Sequence, residues 1–208
     1  MKQKLRFNVL SIIGIFFILL GLTAIFYNFY LASVDKIFWI CYIGMLIIGI
    51  GILIKEPLLI SSQINLLLIP QALWTFDFLQ NILFNQSSFS ITSYYFTELS
   101  NFWQVISLYH ILAMPLALFA LYKIKLPKKE KNISLIISLV QISIIFFLTF
   151  LLTNQNANVN WIKESIFTNL LFFLNVPYFI KWFLIIIPVI ILSHFIITYL
   201  FKKQFIKN

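Results

Sequence analysis

FNVLSIIGIFFILLGLTAIFYNFYLASV, residues 7–34, runs for 28 positions without a charged side chain. A helix rises about 1.5 Å per residue, so a stretch of this length exceeds the ~30 Å hydrocarbon core of a bilayer. The pattern recurs. Residues 37–54, 57–76, 99–122, 132–162 and 182–201 are also uncharged, and charges punctuate the gaps between them. The third run is interrupted by Asp77 yet continues as LQNILF. Six transmembrane helices are predicted near 8–30, 38–54, 58–84, 103–122, 133–152 and 182–201. The fold class is therefore an all-α polytopic bundle, a single transmembrane domain over 1–208. The apolar piece SIFTNLLFFLNVPYFI, 165–180, is short and contains Pro177, and it reads as an interfacial or re-entrant segment rather than a seventh span.

Composition excludes most alternatives. Of 208 residues, 62% are hydrophobic and only 10% charged, and 24 are Phe. Mean hydropathy is +0.99. An ordinary soluble domain carries about 25% charge, so a soluble globular protein and a disordered chain are both excluded. The net charge of +9 raises nucleic acid as a partner. The basic residues, however, cluster at the ends of apolar runs, so no nucleic acid is expected. Cys41 is the single cysteine, which rules out an internal disulfide and a Cys-rich metal motif. No metal or cofactor is expected. The first apolar run is longer than the 7–15 residues of a signal-peptide core, so a retained first helix is expected behind Lys2, Lys4 and Arg6.

Orientation follows from Lys and Arg. With a cytoplasmic N-terminus, the inside holds Lys2, Lys4, Arg6, Lys55, Lys123, Lys125, Lys128, Lys129, Lys131, Lys202, Lys203 and Lys207. The outside holds Lys36, Lys163 and Lys181. This bias puts both termini in the cytoplasm. A K-E-P turn at 55–57 joins the second and third helices as a hairpin. The outer loop 85–102 has no Lys or Arg, and Tyr94, Tyr95 and Trp103 suit an aromatic belt. The two halves share no repeat of Pro or polar positions, which weakens an inverted-repeat transporter.

The informative residues are the polar ones inside the apolar runs, because a mid-membrane Asp costs about 2.5–3.5 kcal/mol on insertion scales. On the third helix, Gln63, Pro70, Trp74, Asp77 and Asn81 fall on one stripe, while Thr75 lies roughly 160° from Asp77. Pro70 removes a backbone hydrogen bond and can kink this helix. On the fourth helix the stripe is Trp103, Ser107, His110, Met114 and Ala117. Asp77 and His110 each lie about 10 Å below the outer surface. The two side chains are expected to meet in one outer-half cavity lined by Trp74, Asn81 and Ser107. A purely structural pairing between helices is the competing expectation. His194 on the sixth helix, roughly 18 Å deep, is expected to make an interhelical hydrogen bond, and its depth argues against a haem shared with His110. Ser134, Ser138, Gln141 and Thr149 suit interhelical packing, and Gly44, Gly49 and Gly51 permit close helix contact. The Asn-rich loop TNQNANVNW, 153–161, reads as solvated, with capping of the cavity or headgroup binding as the alternatives. The basic segment KIKLPKKEK, 123–131, reads as topology control or as a contact for anionic headgroups.

The stretches PLLISSQINLLLIPQALWTFDFL, SLYHILAMPLALF and NANVNW resemble an uncharacterised group of small prokaryotic multi-pass membrane proteins, which implies a prokaryotic plasma membrane as the location. LWTFDFLQ and HILAMP also resemble segments of the androgen-induced and androgen-dependent membrane hydrolases. Those six-helix proteins cleave fatty acid esters of hydroxy fatty acids with an intramembrane Thr nucleophile and a His from a later helix. That resemblance implies Thr75 as nucleophile and His110 as general base. Three functions stay open. One is an intramembrane hydrolase or acyl transferase on lipid-like esters, with Asp77 orienting His110, or with Asp77 and His110 activating water. Another is a small-solute transporter or substrate-binding subunit. The third is a non-catalytic assembly subunit. Trp74, Asn81, Trp103 and Ser107 are the candidate substrate-binding residues. Membrane lipids and a lipid-like or small-molecule substrate are the expected partners.

Overall fold

A computed structural model describes residues 8–31, 33–97, 100–154, 158–162 and 176–202. Among the described residues the chain is helical, with no strand. The helices are α1 (Val9–Tyr30), α2 (Ile40–Ile54), α3 (Pro57–Phe84), α4 (Ser93–Thr97), α5 (Asn101–Ser107), α6 (Tyr109–Ile124), α7 (Lys131–Leu152) and α8 (Tyr178–Leu200). Five stretches are long and apolar enough to cross a membrane: Val9–Tyr30, Pro57–Phe84, Asn101–Ile124, Lys128–Leu152 and Tyr178–Leu200.

The expected second span is shorter. Its helix, α2, has 15 residues, or about 22 Å. The cause is local: Trp39 has φ −58° and ψ 122°, outside the helical region, so Val34–Phe38 forms a separate 3-10 turn. The sixth helix differs in the other direction. It starts at Tyr178 behind Pro177, so residues 178–180 belong to α8 and not to an interfacial piece. Residues 165–175 of that segment lie outside the described residues, as do Lys2, Lys4, Arg6, Lys163, Lys203 and Lys207.

The 55–57 turn forms the expected hairpin. Lys55 adopts a left-handed conformation (φ 59°), and the Glu56 N–H closes back on the Gly51 carbonyl at 2.7 Å. Glu56 then accepts from the Leu58 N–H, with Pro57 opening α3. A Cβ on Gly49 would lie 2.7 Å from the Gly14 carbonyl, and one on Gly21 would lie 3.1 Å from that of Tyr42. Those pairings run in opposite directions along the chain, so α1 and α2 are antiparallel and almost touch backbone to backbone. Gly44 and Gly51 turn the other way, towards Leu67 and Ile60 of α3.

Helix α3 is the centre of the bundle, bordered by α2, α6, α7 and α8. In its most apolar window 56% of residues are buried, against 22–39% in the other four long stretches. It meets α7 through polar groups. Gln63 and Gln141 exchange reciprocal amide hydrogen bonds of 2.7 and 2.9 Å. Asn65 donates to Ser138 and Ser134, and Ser138 donates to the Ser62 carbonyl. Ser134, Ser138 and Gln141 thus make the interhelical contacts their spacing predicts. The opposite face of α7 carries Ile133, Ile136, Val140, Ile144, Phe147 and Leu151, all exposed. Ser134, Ser138 and Thr149 are buried on the inner face with Ile142, Ile145 and Phe146, while this outer face is apolar, unlike the polar outer face of a water-facing helix.

The two ends of the bundle are distinct. Tyr122 of α6 and Phe201, just past α8, are in ring contact, and Asn65–Ser134 places the starts of α3 and α7 together. The 55–57 and 125–130 turns therefore share one end. At the other end Asn160 acts as a staple. Its side chain donates to the Phe38 carbonyl at 2.8 Å and accepts from the Ile40 N–H at 3.0 Å, and its own carbonyl accepts from the Trp182 indole at 3.2 Å. Asn160 is 8% exposed. The 158–161 part of the Asn-rich loop is therefore a buried brace between the α1–α2 connection and α8, not a solvated loop.

Asn160→Ala leaves the Ile40 N–H and the Phe38 carbonyl unpaired, at about 1–3 kcal/mol for each buried orphan. It also places Ala at φ 55°. Thermal unfolding of the purified protein should show a clear drop in midpoint. Asn160→Gly relieves only the backbone strain and should recover only a small part of that loss.

Candidate functional site

The chain beyond α3 folds back over the end of that helix. Asn85 takes a left-handed conformation (φ 50°) at the α3 C-cap, and Ser90 does the same (φ 53°) further along. This return delivers a set of donors to Asp77, which is fully buried. One carboxylate oxygen accepts from the Ser87 hydroxyl at 2.7 Å and the Phe89 N–H at 3.0 Å. The other accepts from the Thr92 N–H at 2.9 Å and the Thr92 hydroxyl at 2.8 Å. Asn81, one turn on, donates to the Thr92 hydroxyl at 3.4 Å. Hydrogen bonds to an ionised acceptor are the strong kind, and four of them latch 87–92 onto α3.

The expected pairing of Asp77 with His110 is thus replaced by one with the following loop. Backbone N–H groups in that loop need acceptors, and the carboxylate supplies two oxygens at the point where the chain turns back. Among the described residues the hydrogen bonds of Asp77 run to this loop, and none runs to His110.

His110 sits in an aromatic stack. Its ring lies 4.4 Å from that of Trp74 at 16°, and 4.0 Å from that of Tyr109 at 26°. The fourth span breaks at Leu108, between α5 and α6, where the Ile111 N–H bonds to the Leu108 carbonyl instead of reaching Ser107. The Ser107 carbonyl is left to His110, whose Nδ1 lies 2.8 Å from it. A carbonyl only accepts, so Nδ1 carries the proton and Nε2 of the neutral ring is an acceptor.

Trp74 is the hub. It also stacks on Phe78 at 5.0 Å, and its indole N–H donates to the Tyr94 hydroxyl at 3.0 Å. Tyr95 meets both Trp74 and Phe78 edge-on. Burial pushes the Tyr94 phenol up to about 12, offset in part by the Trp74 hydrogen bond, so Tyr94 keeps its proton at neutral pH.

The seven expected site residues therefore separate. Trp74, Ser107 and His110 come together. Asp77 and Asn81 form the loop latch beside them. Thr75 donates to the Gln71 carbonyl of its own helix at 2.8 Å, the usual satisfaction of a helical Thr, and is not hydrogen-bonded to His110. Trp103 packs against Tyr27 of α1 at 4.3 Å and belongs to that contact instead. Ser87, Thr92 and Tyr94 are the participants that sequence reasoning missed. The Ser- and Thr-rich string QSSFSITS, 86–93, directly after the helix bearing Asp77, was the available signal. His194 is buried on α8 beside Lys131, towards the opposite end. Among the described residues no group of three His, Cys, Asp or Glu is arranged to hold a metal ion.

Comparison with protein families, with curated proteins and with solved structures finds no match to this chain.

Asp77→Asn keeps the shape but puts an NH₂ group against two of the four donors. Hydrogen exchange of the Phe89 and Thr92 amides should accelerate at least about tenfold, the equivalent of roughly 1.4 kcal/mol of local stability. Thr75→Val, which removes only a bond within α3, should leave those amides unchanged.

Proposed function

We propose that this chain is an integral protein of a prokaryotic plasma membrane that hydrolyses lipid-like esters from the outer half of the bilayer. In this reading the crossing segments are α1, α2, α3, α5–α6, α7 and α8, with both termini cytoplasmic. The apolar outer face of α7 supports burial in lipid, as does the gathering of Lys55, Lys123, Lys125, Lys128, Lys129 and Lys202 at one end. Short α2 crosses along its antiparallel neighbour α1, where the glycine contacts let it share the longer helix's path.

The observation that carries the catalytic reading is the 2.8 Å contact between His110 Nδ1 and the Ser107 carbonyl. Nδ1 is committed to the Ser107 carbonyl, and the ring is clamped by Trp74 and Tyr109, so Nε2 is a held acceptor. The reaction it suits uses water. Nε2 takes a proton as the water oxygen bonds to the ester carbonyl carbon. The tetrahedral adduct then breaks its bond to the alcohol oxygen, which receives that proton from Nε2, leaving acid and alcohol. Thr75, bonded to its own helix, plays no part, and Asp77 acts only by fixing the loop that carries Tyr94.

A second reading, a non-catalytic membrane subunit, is favoured by a different observation: Asp77, Gln63 and Gln141 are consumed by internal hydrogen bonds. The transport reading rests on a polar site in the outer half and on proline-interrupted helices, with Asp77 and His110 as an additional proton-carrying pair; the engagement of Asp77 by four loop donors weighs against that addition alone.

Turnover of a long-chain p-nitrophenyl ester by reconstituted protein separates these readings. His110→Ala should lose about 10²–10⁴-fold, while Thr75→Val should stay within about twofold, since it forfeits no transition-state contact. Undiminished turnover in His110→Ala would end the hydrolase reading. Loss in Thr75→Val would restore Thr75 as the nucleophile. An inactive wild type that co-purifies with a stoichiometric partner would establish the subunit reading.

A further inference from the structure

We propose that the turn between α6 and α7 is a binding surface for the phosphate headgroups of anionic phospholipids. This rests on the membrane reading above but not on the ester chemistry.

Lys123, Lys125, Lys128 and Lys129 are all exposed and fall within seven residues of chain. The turn that carries them is anchored. Leu126, 4% exposed, plugs into the main hydrophobic core. Lys125 takes φ 70° so that its N–H can close on the Leu121 carbonyl at 2.8 Å. The Glu130 N–H closes on the Pro127 carbonyl at 3.0 Å. The lysine backbones are therefore held in place, with the ammonium groups of Lys125, Lys128 and Lys129 left to converge on a ligand beside that of Lys123. Glu130 is the one acid in the turn, and it is half-buried.

The border of the patch points to a lipid rather than a soluble anion. The Lys123 ammonium lies over the rings of Phe119 and Tyr122, at 5.6 and 5.9 Å from their centroids. Those rings are 40% and 55% exposed. Charge and apolar surface thus meet at the end of α6, which matches a molecule with a phosphate at one end and acyl chains at the other. Each lysine near an anionic surface contributes roughly fivefold in binding, and salt screens it.

The test uses the full protein in mixed micelles containing equal phosphatidylglycerol and phosphatidylcholine, with retained lipid quantified by mass spectrometry. Wild type should retain phosphatidylglycerol at least about fivefold over phosphatidylcholine, and about 0.5 M salt should erase the preference. The triple variant K125Q/K128Q/K129Q should fall to parity, while K125R/K128R/K129R should keep the preference. No preference in wild type, or an equal preference in the Gln variant, overturns the proposal. So does displacement of the lipid by soluble glycerol phosphate, which would assign the patch to free phosphate. Carbonate extraction of the native membrane tests the underlying reading separately: release of wild type would remove both, whereas retention with no lipid preference removes this proposal alone.

Discussion

A polar side chain surrounded by apolar groups must find a partner or cost about 1–3 kcal/mol, and more if charged. Helix α3 is where this requirement is most severe. It occupies the middle of the bundle and carries Ser61, Ser62, Gln63, Asn65, Gln71 and Asp77, every one buried. The neighbours of α3 answer most of these groups, the side-chain oxygens of Asn65 and Gln71 excepted among the described residues. Helix α7 lies where Gln141, Ser134 and Ser138 meet Gln63 and Asn65. The 87–92 segment lies where its donors meet Asp77. An apolar α3 would pack against any helix at similar strength; the polar one chooses its neighbours.

The same requirement divides what was legible in the sequence. Length and the absence of charge locate the helices, because both are properties of the chain alone. Most boundaries agree within a few residues. The exceptions have local causes invisible to a hydropathy count: a non-helical Trp39, a break at Leu108, and Pro177 initiating a helix rather than ending one. Packing faces were also legible where both partners carried a helical stripe, as on α7. Depth and chain order point Asp77 towards His110, whereas its hydrogen bonds run to the loop behind its own helix. Those arguments compare helix with helix, and they pass over backbone N–H groups in a loop, which have no side-chain signature. His110 meets Trp74 and Ser107 through a ring stack and a broken helical ladder, features that a helical stripe does not display. Asn160 was read as solvated for a similar reason: its bonds to Phe38 and Ile40 cross more than 100 residues of chain.

The donors of the Asp77 latch, Ser87, Phe89 and Thr92, lie 10–15 residues downstream of the carboxylate. The carboxylate and its donors therefore travel as one short piece of chain. Any rearrangement that separates residues 87–92 from the end of α3 exposes the carboxylate and strips two backbone N–H groups of their acceptors in the same event. The segment behind α3 is in this sense part of that helix's own fold, and a fragment ending before residue 87 would carry α3 without the groups that satisfy it.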